Sequence, residues 1–302
     1  MLTFSAEAGA AKVVEGIPSY CVPHYHSSKG SPLAVARKLS RSCKDITYTQ
    51  VCRGVKSVSA AKKALAAAAE ISSITTVLCV TGDHASNSDI SVFEMLKSVG
   101  KKRFRAAAAI VFTRNGEALR VARKAAAGAA IFYTQPVFPK NAGKLLKLLK
   151  QLPRVECEIR IGVLIPFSSS VCRKVAGEKP DFISDNSFVP ELEAAERKSA
   201  AAAYKTTLRL ARESLNSAIM ITTAVNSTKA SACRVAGIHL YGLSDRIFGK
   251  GSSAIRVSRG QLLGAILDKP GNGKKSTSLR KEAVFLHDNG AQEGVKAKEN
   301  IV

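Results

Sequence analysis

The sequence contains no tryptophan, and only six tyrosines and eleven phenylalanines among its 302 residues. Acidic residues are also scarce, 23 against 46 lysines and arginines, which gives a formal net charge of +23. So few aromatic rings leave few platforms on which nucleic-acid bases could stack, and the basic residues are spread along the chain. We therefore favour a surface that attracts small anions such as phosphates or carboxylates over one that binds nucleic acid, although a nucleic-acid partner stays open as the alternative.

No run of eighteen apolar residues occurs, so a membrane-spanning helix is not expected. The amino terminus lacks the basic start and long apolar stretch of a signal peptide, which indicates a cytoplasmic protein. The seven cysteines are scattered and form no CxxC pair, a pattern typical of buried free thiols in a reducing compartment. His24 and His26 could chelate a metal, but no HExxH spacing accompanies them, and we expect no metal site.

Short apolar runs alternate along the chain with segments rich in alanine, leucine and lysine, in which apolar residues recur at three and four. This alternation of strand and helix patterns predicts an α/β fold. Eight candidate strands favour a (β/α)8 TIM barrel over an open doubly wound sheet, and no GxGxxG follows the first strand to support a Rossmann fold. The predicted strands cover residues 2–8, 19–25, 45–52, 75–82, 104–112, 131–137, 158–166 and 237–243.

Two segments depart from a regular barrel pattern. The interval from Glu7 to Cys21 is too short for a full helical crossover, so the first βα unit is predicted to be shortened. Residues 216–236, which follow a long predicted helix over 190–215, are expected to form an apolar insertion before the last strand. Residues 1–268 are assigned to a single barrel domain. Residues 269–302 are expected to be a basic, disordered and mobile tail, because they are rich in glycine, lysine and asparagine.

Polar residues at the ends of the predicted strands mark a candidate site. In a barrel of this class, the carboxyl ends of the strands and the loops after them carry the active site. Glu7 ends the first strand, Asp83 follows the fourth, and Thr134 and Gln135 interrupt the apolar run FYTQPVF in the sixth. These side chains could contact a ligand, or Thr134 and Gln135 could satisfy backbone groups at a strand end. From the residues alone both interpretations stay open.

Three motifs in this order, TVLCVTGDH, RKAAAGAAIFYTQPVF and IRIGVLIPFSS, resemble the methylenetetrahydrofolate reductase family. The similarity extends over most of residues 45–215 and resumes at GIHLYGL. It implies a flavin-dependent oxidoreductase of one-carbon metabolism, with FAD rather than FMN as cofactor and NADH or NADPH as electron donor. The implied substrate is 5,10-methylenetetrahydrofolate or a related methylene-pterin, which is reduced to the 5-methyl form. A homo-oligomer is compatible with the resemblance.

The resemblance also implies roles for single residues. Glu7 corresponds to the catalytic general acid, and Asp83 to the aspartate near the flavin and the pterin. Gln135 corresponds to the glutamine that positions the folate, while Phe138 and Arg246 are expected at the substrate. Glu117 and Lys124 are expected at the ribose and the phosphates of the flavin. The complete set of implied cofactor contacts is Thr81, Gly82, Asp83, Ala109, Glu117 and Lys124.

The implied chemistry explains these residue types. The five-membered ring of the folate opens only when its departing nitrogen receives a proton, which a glutamate with a raised pKa can supply. Burial in the mouth of a barrel would raise that pKa. A lysine supplies the opposite charge for a phosphate. A glutamine forms hydrogen bonds with the amide edge of a pterin without adding charge.

Two other functions stay open. The chain departs from the family where AGAA follows Glu7 and HASNS follows Asp83. It could therefore be a barrel homologue without reductase activity that binds nucleic acid or an acidic partner through its basic surface. The sequence Gly-Lys-Gly at 249–251, together with the basic charge, suggests as a third hypothesis a different barrel enzyme with a phosphorylated substrate.

Overall fold

The computed structural model of the chain describes residues 3–7, 13, 17–23, 31–82, 88–100, 103–152, 156–166, 168–178, 182–228, 233–243, 246–249 and 253–268. Its centre is a closed barrel of eight parallel strands, in which each strand pairs with the next one along the chain and the last pairs with the first. The predicted (β/α)8 barrel is therefore confirmed. The strands are β1 (Thr3–Glu7), β2 (Ser19–Val22), β3 (Asp45–Val51), β4 (Ile74–Val80), β5 (Arg105–Ile110), β6 (Ala129–Pro136), β7 (Cys157–Leu164) and β8 (Cys233–Tyr241).

Helices alternate with the strands from β2 onward. They are α1 (Pro32–Leu39), α2 (Val58–Ala69), α3 (Val92–Val99), α4 (Glu117–Ala126), α5 (Pro139–Gln151), α6 (Ser169–Glu178), α7 (Val189–Lys198), α8 (Ala200–Asn226) and α9 (Arg259–Leu267). A small antiparallel sheet of β9 (Arg246–Phe248) and β10 (Ile255–Val257) follows the barrel. In the described ranges, no helix has both the length and the apolar character needed to cross a membrane.

The link between β1 and β2 is short, as the sequence predicts. β1 and β2 pair directly in parallel, with Ser5 opposite Ser19. Of residues 8–18, the structure describes only 13, 17 and 18, and none of these three is helical. The residues after Asp268, which include the predicted tail at 269–302, lie outside the described part of the chain.

The predicted apolar insertion at 216–236 is wrong. Helix α8 continues to Asn226, and β8 begins at Cys233. The helix extends this far because buried side chains recur on one face at helical spacing. These side chains belong to Ala218, Ile221, Thr222 and Val225.

The long helix predicted over 190–215 is in fact two helices. α7 ends at Lys198, and α8 begins at Ala200. Ser199 between them has an extended backbone, and its side chain accepts a hydrogen bond from the amide of Ala202. A serine in this position satisfies an amide that a helix start otherwise leaves without a partner. The break between α7 and α8 therefore falls at a capping serine, which the alanine-rich sequence around it does not make apparent.

The main hydrophobic core lies between the outside of the barrel and the helices. Leu65 of α2, Met95 of α3 and Leu145 of α5 are fully buried there, beside outward-facing strand residues such as Val77 and Phe132. Each such side chain contributes about 1.5–3 kcal/mol through its burial. A second, smaller core connects α5, β7, α6, α7 and α8. It includes Phe138, Leu164, Cys172, Phe188, Leu192 and Leu210.

The barrel interior is partly polar. The hydroxyl oxygens of Thr47 in β3 and Tyr133 in β6 lie 3.0 Å apart. Because β3 and β6 are not neighbours in the barrel, this hydrogen bond crosses its interior. His239 Nδ1 lies 2.9 Å from Ser5 Oγ, and its ring meets that of Tyr133 edge-on at 5.1 Å. Burial, and to a lesser extent the charge of Arg160, lowers the pKa of His239 to about 3, so the imidazole is neutral at physiological pH.

Candidate functional site

Strands β4, β5 and β6 end side by side at the carboxyl end of the barrel. Cys79 of β4 is in register with Ala108 of β5, and Ile110 of β5 with Thr134 of β6. In this parallel arrangement, Gly82 after β4 and Gln135 in β6 come to the same end of the molecule. TIM-barrel enzymes bind their substrates at this end, where the carboxyl termini of the strands lie.

Gly82 marks the exit of the chain from β4. Its φ is +87°, and a Cβ added to it would lie 2.3 Å from Val51 Cγ1. Only glycine fits this position, because of both its left-handed backbone and the close approach of β3. The exposed Thr81 before it accepts a hydrogen bond from the Arg53 amide at 3.1 Å through its carbonyl. Asp83, predicted to be catalytic, lies outside the described residues.

Three of the predicted cofactor residues, Ala109, Glu117 and Lys124, contact one another. Lys124 Nζ donates to the carbonyl oxygen of Ala109 at 2.6 Å and to Glu117 Oε1 at 3.2 Å. The same Oε1 accepts a hydrogen bond from the amide of Val111 at 3.1 Å. Glu117 and Lys124 are seven residues apart, two turns of α4, so the helix presents them on one face. Together these bonds fasten the first turns of α4 to the end of β5.

Glu117 has one carboxylate oxygen that its neighbours leave unsatisfied. The residue is 1% exposed, and its Oε2 has no hydrogen-bond partner among the residues that the structure describes. Arg120 Nε lies 3.9 Å from Oε2. Burial lowers the pKa of Lys124, and the charge of Glu117 opposes that shift. Glu117 and Lys124 therefore form a buried ion pair in which Glu117 Oε2 can still accept a hydrogen bond.

Gln135 lies at the end of β6, where the ladder to β7 is irregular between Tyr133 and Pro136. Its Nε2 lies 3.4 Å from Thr113 Oγ1, in the loop after β5. The side chain thus extends over the end of the neighbouring strand. The residue is 5% exposed, yet its Oε1 has no hydrogen-bond partner within the described ranges.

Thr134 and Tyr241 fix the backbone around this glutamine. Thr134 Oγ1 accepts a hydrogen bond from the Gly162 amide at 2.9 Å, and Tyr241 donates its hydroxyl to the Thr134 carbonyl at 2.9 Å. A Cβ on Gly162 would lie 2.7 Å from that carbonyl oxygen and 2.8 Å from the carbonyl oxygen of Gln135. Thr134 thus satisfies a backbone group at a strand end, which is one of the two interpretations that the sequence left open. The Gln135 side chain, by contrast, still has an acceptor oxygen without a hydrogen bond in the described part of the chain.

Two adjoining clefts open beside the start of α4. The larger, about 350 Å³, lies between the loop after β5 and helix α5 and is lined by Thr113, Arg114, Glu117, Lys144 and Lys147, among others. The smaller, about 270 Å³, is lined by Arg120 and Arg123 of α4, and the two clefts share Asn115 and Gly116. This basic surface suits phosphate or carboxylate groups.

Phe138, Arg246 and Glu7 are the remaining predicted site residues. Phe138 is buried in the second core, with its ring stacked on Phe188 at 5.1 Å. Arg246 opens β9 and donates to the Gly242 carbonyl at 2.6 Å. Burial lowers the pKa of this arginine. Glu7 ends β1 in register with Cys21, and its side chain lies outside the described part.

The sequence did not single out Thr113, Arg114, Lys144 or Lys147. Thr113 and Arg114 directly follow the apolar run of β5, in a position comparable to that of Asp83 after β4. Their position directly after a strand could have identified them as candidate site residues. Lys144 and Lys147 are two of several lysines on α5, and only the packing of that helix beside the loop after β5 distinguishes them.

No protein-family model matches the chain, and no curated protein matches it. One similar solved structure is an uncharacterized protein from Clostridium thermocellum that binds two copies of 5-methyl-5,6,7,8-tetrahydrofolic acid. It has a TM-score of 0.49 and 10% sequence identity, and the match covers 74% of this chain and 76% of that one. Another is the homocysteine methyltransferase MmuM from Escherichia coli in its apo form, with a TM-score of 0.34 and 12% identity over 60% of this chain and 88% of that one. Similarity at this level says nothing about what this chain binds or catalyses.

Proposed function

We propose that the chain is a flavin-dependent oxidoreductase that reduces 5,10-methylenetetrahydrofolate, or a related methylene-pterin, to its 5-methyl form with NADH or NADPH. The observation that carries the proposal is Gln135, a buried amide at the carboxyl end of the barrel with an acceptor that no described residue satisfies. A buried acceptor without a partner costs about 1–3 kcal/mol. An N–H donor on a bound ligand would remove that cost, and the amide edge of a pterin carries such donors.

The residues beside the start of α4 fit the nucleotide part of a flavin. Glu117 Oε2 is a second buried acceptor, and a ribose hydroxyl is a suitable donor for it. Arg114, Lys144 and Lys147 line the same cleft and would neutralise phosphates. FAD, with two phosphates, uses this basic surface more fully than FMN. When bound and reduced by NADH or NADPH, the flavin supplies the hydride for the exocyclic carbon of the pterin.

Within this proposal, the residues of the chain bind, orient and protonate. Lys124 neutralises Glu117 and holds it against β5, since two of its donors already have partners. Gln135 orients the pterin. The resemblance to the reductase family assigns the remaining two roles, with Glu7 as the donor of the proton to the departing nitrogen and Asp83 as the aspartate near the flavin and the pterin.

The role of Gln135 can be tested against that of a matched glutamine. Gln50 near the end of β3 is equally buried and also has an Oε1 without a partner in the described part. However, Gln50 alternates with Thr47 and Thr49, whose bonds to Tyr133 and Cys21 place them inside the barrel, so it belongs to the outward face. The two glutamines therefore share their burial and differ in the predicted contact with substrate.

We expect Gln135→Leu to slow reduction of the pterin by about tenfold to a hundredfold, the loss that corresponds to one buried hydrogen bond. Reduction of the flavin by NADH or NADPH should stay near the wild-type rate. Gln50→Leu should leave both half-reactions near wild type. Stopped-flow absorbance measures both steps. Equal effects of the two substitutions on the pterin step would remove Gln135 from the site, and a wild-type chain that binds neither FAD nor FMN would overturn the proposal.

A second candidate function follows from the two basic clefts. Arg114, Arg120, Arg123, Lys144 and Lys147 line one continuous surface that could bind nucleic acid or another polyanion without any reductase activity. Filter binding of RNA across a range of salt concentrations distinguishes this function from the first. Affinity that falls steeply with salt, in a protein that binds no flavin, would favour this second function.

A further inference from the structure

Cys157 and Cys233 are paired across two neighbouring strands. They open β7 and β8, respectively, and are opposite each other in the ladder. Their Sγ atoms lie 3.3 Å apart. Adjacent strands lie about 4.7–4.9 Å apart, which is within the range of about 4.4–6.8 Å that a disulfide spans between Cα atoms. A bond between these sulfurs therefore requires rotation of two side chains and leaves the strands in place.

We propose that Cys157 and Cys233 form a reversible disulfide, with hydrogen peroxide as the oxidant, at the amino-terminal end of the barrel strands. In the first step, the Cys233 thiolate attacks one oxygen of the peroxide and the O–O bond breaks. Cys233 becomes a sulfenic acid, and the released hydroxide takes up a proton to give one water. In the second step, the sulfur of Cys157 attacks the sulfur of Cys233 and displaces hydroxide, which takes the proton of Cys157 and leaves as a second water. Two thiols and one peroxide thus give one disulfide and two waters.

The direction of the contact between the sulfurs sets the order of these steps. Cys157 donates its S–H to Cys233. This hydrogen bond lowers the pKa of Cys233, although burial opposes it. The same contact, together with burial, raises the pKa of Cys157. Since the thiolate is the nucleophile, Cys233 reacts first and Cys157 resolves the sulfenic acid.

A small oxidant reaches the pair when this end of the ladder opens. Cys157 is 7% exposed, the highest value among the seven cysteines, while Cys233 at 4% is as buried as Cys21. The pair is also the first in the β7–β8 ladder. Opening at the end of a ladder breaks fewer backbone hydrogen bonds than opening in its middle. The disulfide would connect β8, which also pairs with β1, more firmly to β7.

Peptide mapping of the oxidised full-length chain tests the proposal. The folded wild-type protein is treated with a few equivalents of hydrogen peroxide, alkylated and digested with trypsin without reduction. We expect the peptides VECEIR (155–160) and ASACR (230–234) to appear as one linked species. Dithiothreitol should release them. Absence of this species, or a dominant link between Cys52 and Cys79 instead, would overturn the proposal.

Single substitutions test the roles of the two sulfurs. Cys157→Ser should leave Cys233 at the sulfenic acid stage, where dimedone labels it. Cys233→Ser should give neither the linked species nor a label on Cys157. Cys21→Ser is the matched control, because Cys21 is as buried as Cys233, and it should form the linked species like the wild type. Dimedone labelling of Cys157 in place of Cys233 would contradict the assigned order, and the wild-type mapping decides the proposal even if a variant does not fold.

Discussion

The neutral imidazole of His239 makes the stability of the barrel depend on pH. The side chain is 1% exposed, bonded to Ser5 through Nδ1, and enclosed by the rings of Tyr133 and Tyr241. Burial, followed by the charge of Arg160, lowers its pKa to about 3. In the unfolded chain, a histidine titrates at about 6.5. Acidification therefore protonates the unfolded state first and favours unfolding.

The size of this effect follows from the two pKa values. The contribution of His239 is fully present above about pH 6.5 and is lost progressively as the pH falls toward about 3. Between pH 7 and pH 5, the unfolded histidine goes from mostly neutral to almost fully charged, while the folded one stays neutral. The free energy of unfolding should fall by about 2 kcal/mol over this interval. Most carboxylates stay ionised in this range, which limits their part in the change.

Urea unfolding followed by circular dichroism at pH 7, 6 and 5 measures this loss. His239→Gln is the control, because glutamine can bond to Ser5 but does not titrate. The histidines at 24, 26, 84 and 287 lie outside the described residues and are unchanged in the variant. The difference between wild type and variant in the change from pH 7 to pH 5 should therefore be about 2 kcal/mol. Equal pH dependence of the two proteins would refute the neutral, buried state of His239.

Three further tests examine the packing around the site by urea unfolding. Gly162→Ala should lower the free energy of unfolding by at least about 2 kcal/mol, because its Cβ would lie 2.7 Å from a backbone oxygen. Gly143→Ala is the control: its Cβ would meet nothing within 4 Å, and the substitution should raise the free energy of unfolding by about 0.5–1 kcal/mol. Lys124→Met should cost about 3–5 kcal/mol by leaving Glu117 buried without its main cation, and adding Glu117→Gln should recover much of that loss. Gly82→Ala should cost about 2 kcal/mol or more, through its φ of +87° and the contact with Val51. Equal stabilities of Gly162→Ala and Gly143→Ala would contradict the close contact at Gly162. A double variant no more stable than Lys124→Met would contradict the ion pair, and wild-type stability of Gly82→Ala would contradict the contact with Val51.

The barrel could be predicted from the sequence because most strands are compact apolar runs between turn residues. The run at 45–52 corresponds to β3 at Asp45–Val51 almost residue for residue. The beginning of β8 was missed, since residues 233–236 alternate between buried and more exposed positions instead of forming a continuous apolar run. The continuation of α8 to Asn226 was missed although its buried residues recur at helical spacing, because a run rich in isoleucine, threonine and valine also resembles a strand.

The candidate site was partly visible in the sequence. Glu117 and Lys124 are expected there from the resemblance to the reductase family, and the structure brings the two together. The contact between Gln135 and Thr113, which are 22 residues apart, depends on the irregular ladder at the end of β6. The basic cleft depends on α5 packing beside the loop after β5. Neither feature has a local pattern, because both arise from how separate elements pack.

The most direct test of the proposed function is the visible absorbance of the purified full-length chain after incubation with FAD and removal of excess cofactor. We predict a yellow protein whose flavin absorbance bleaches under anaerobic NADH or NADPH and returns when 5,10-methylenetetrahydrofolate is added. A colourless protein, or a bound flavin that the methylene-pterin fails to reoxidise, would contradict the proposed reductase activity.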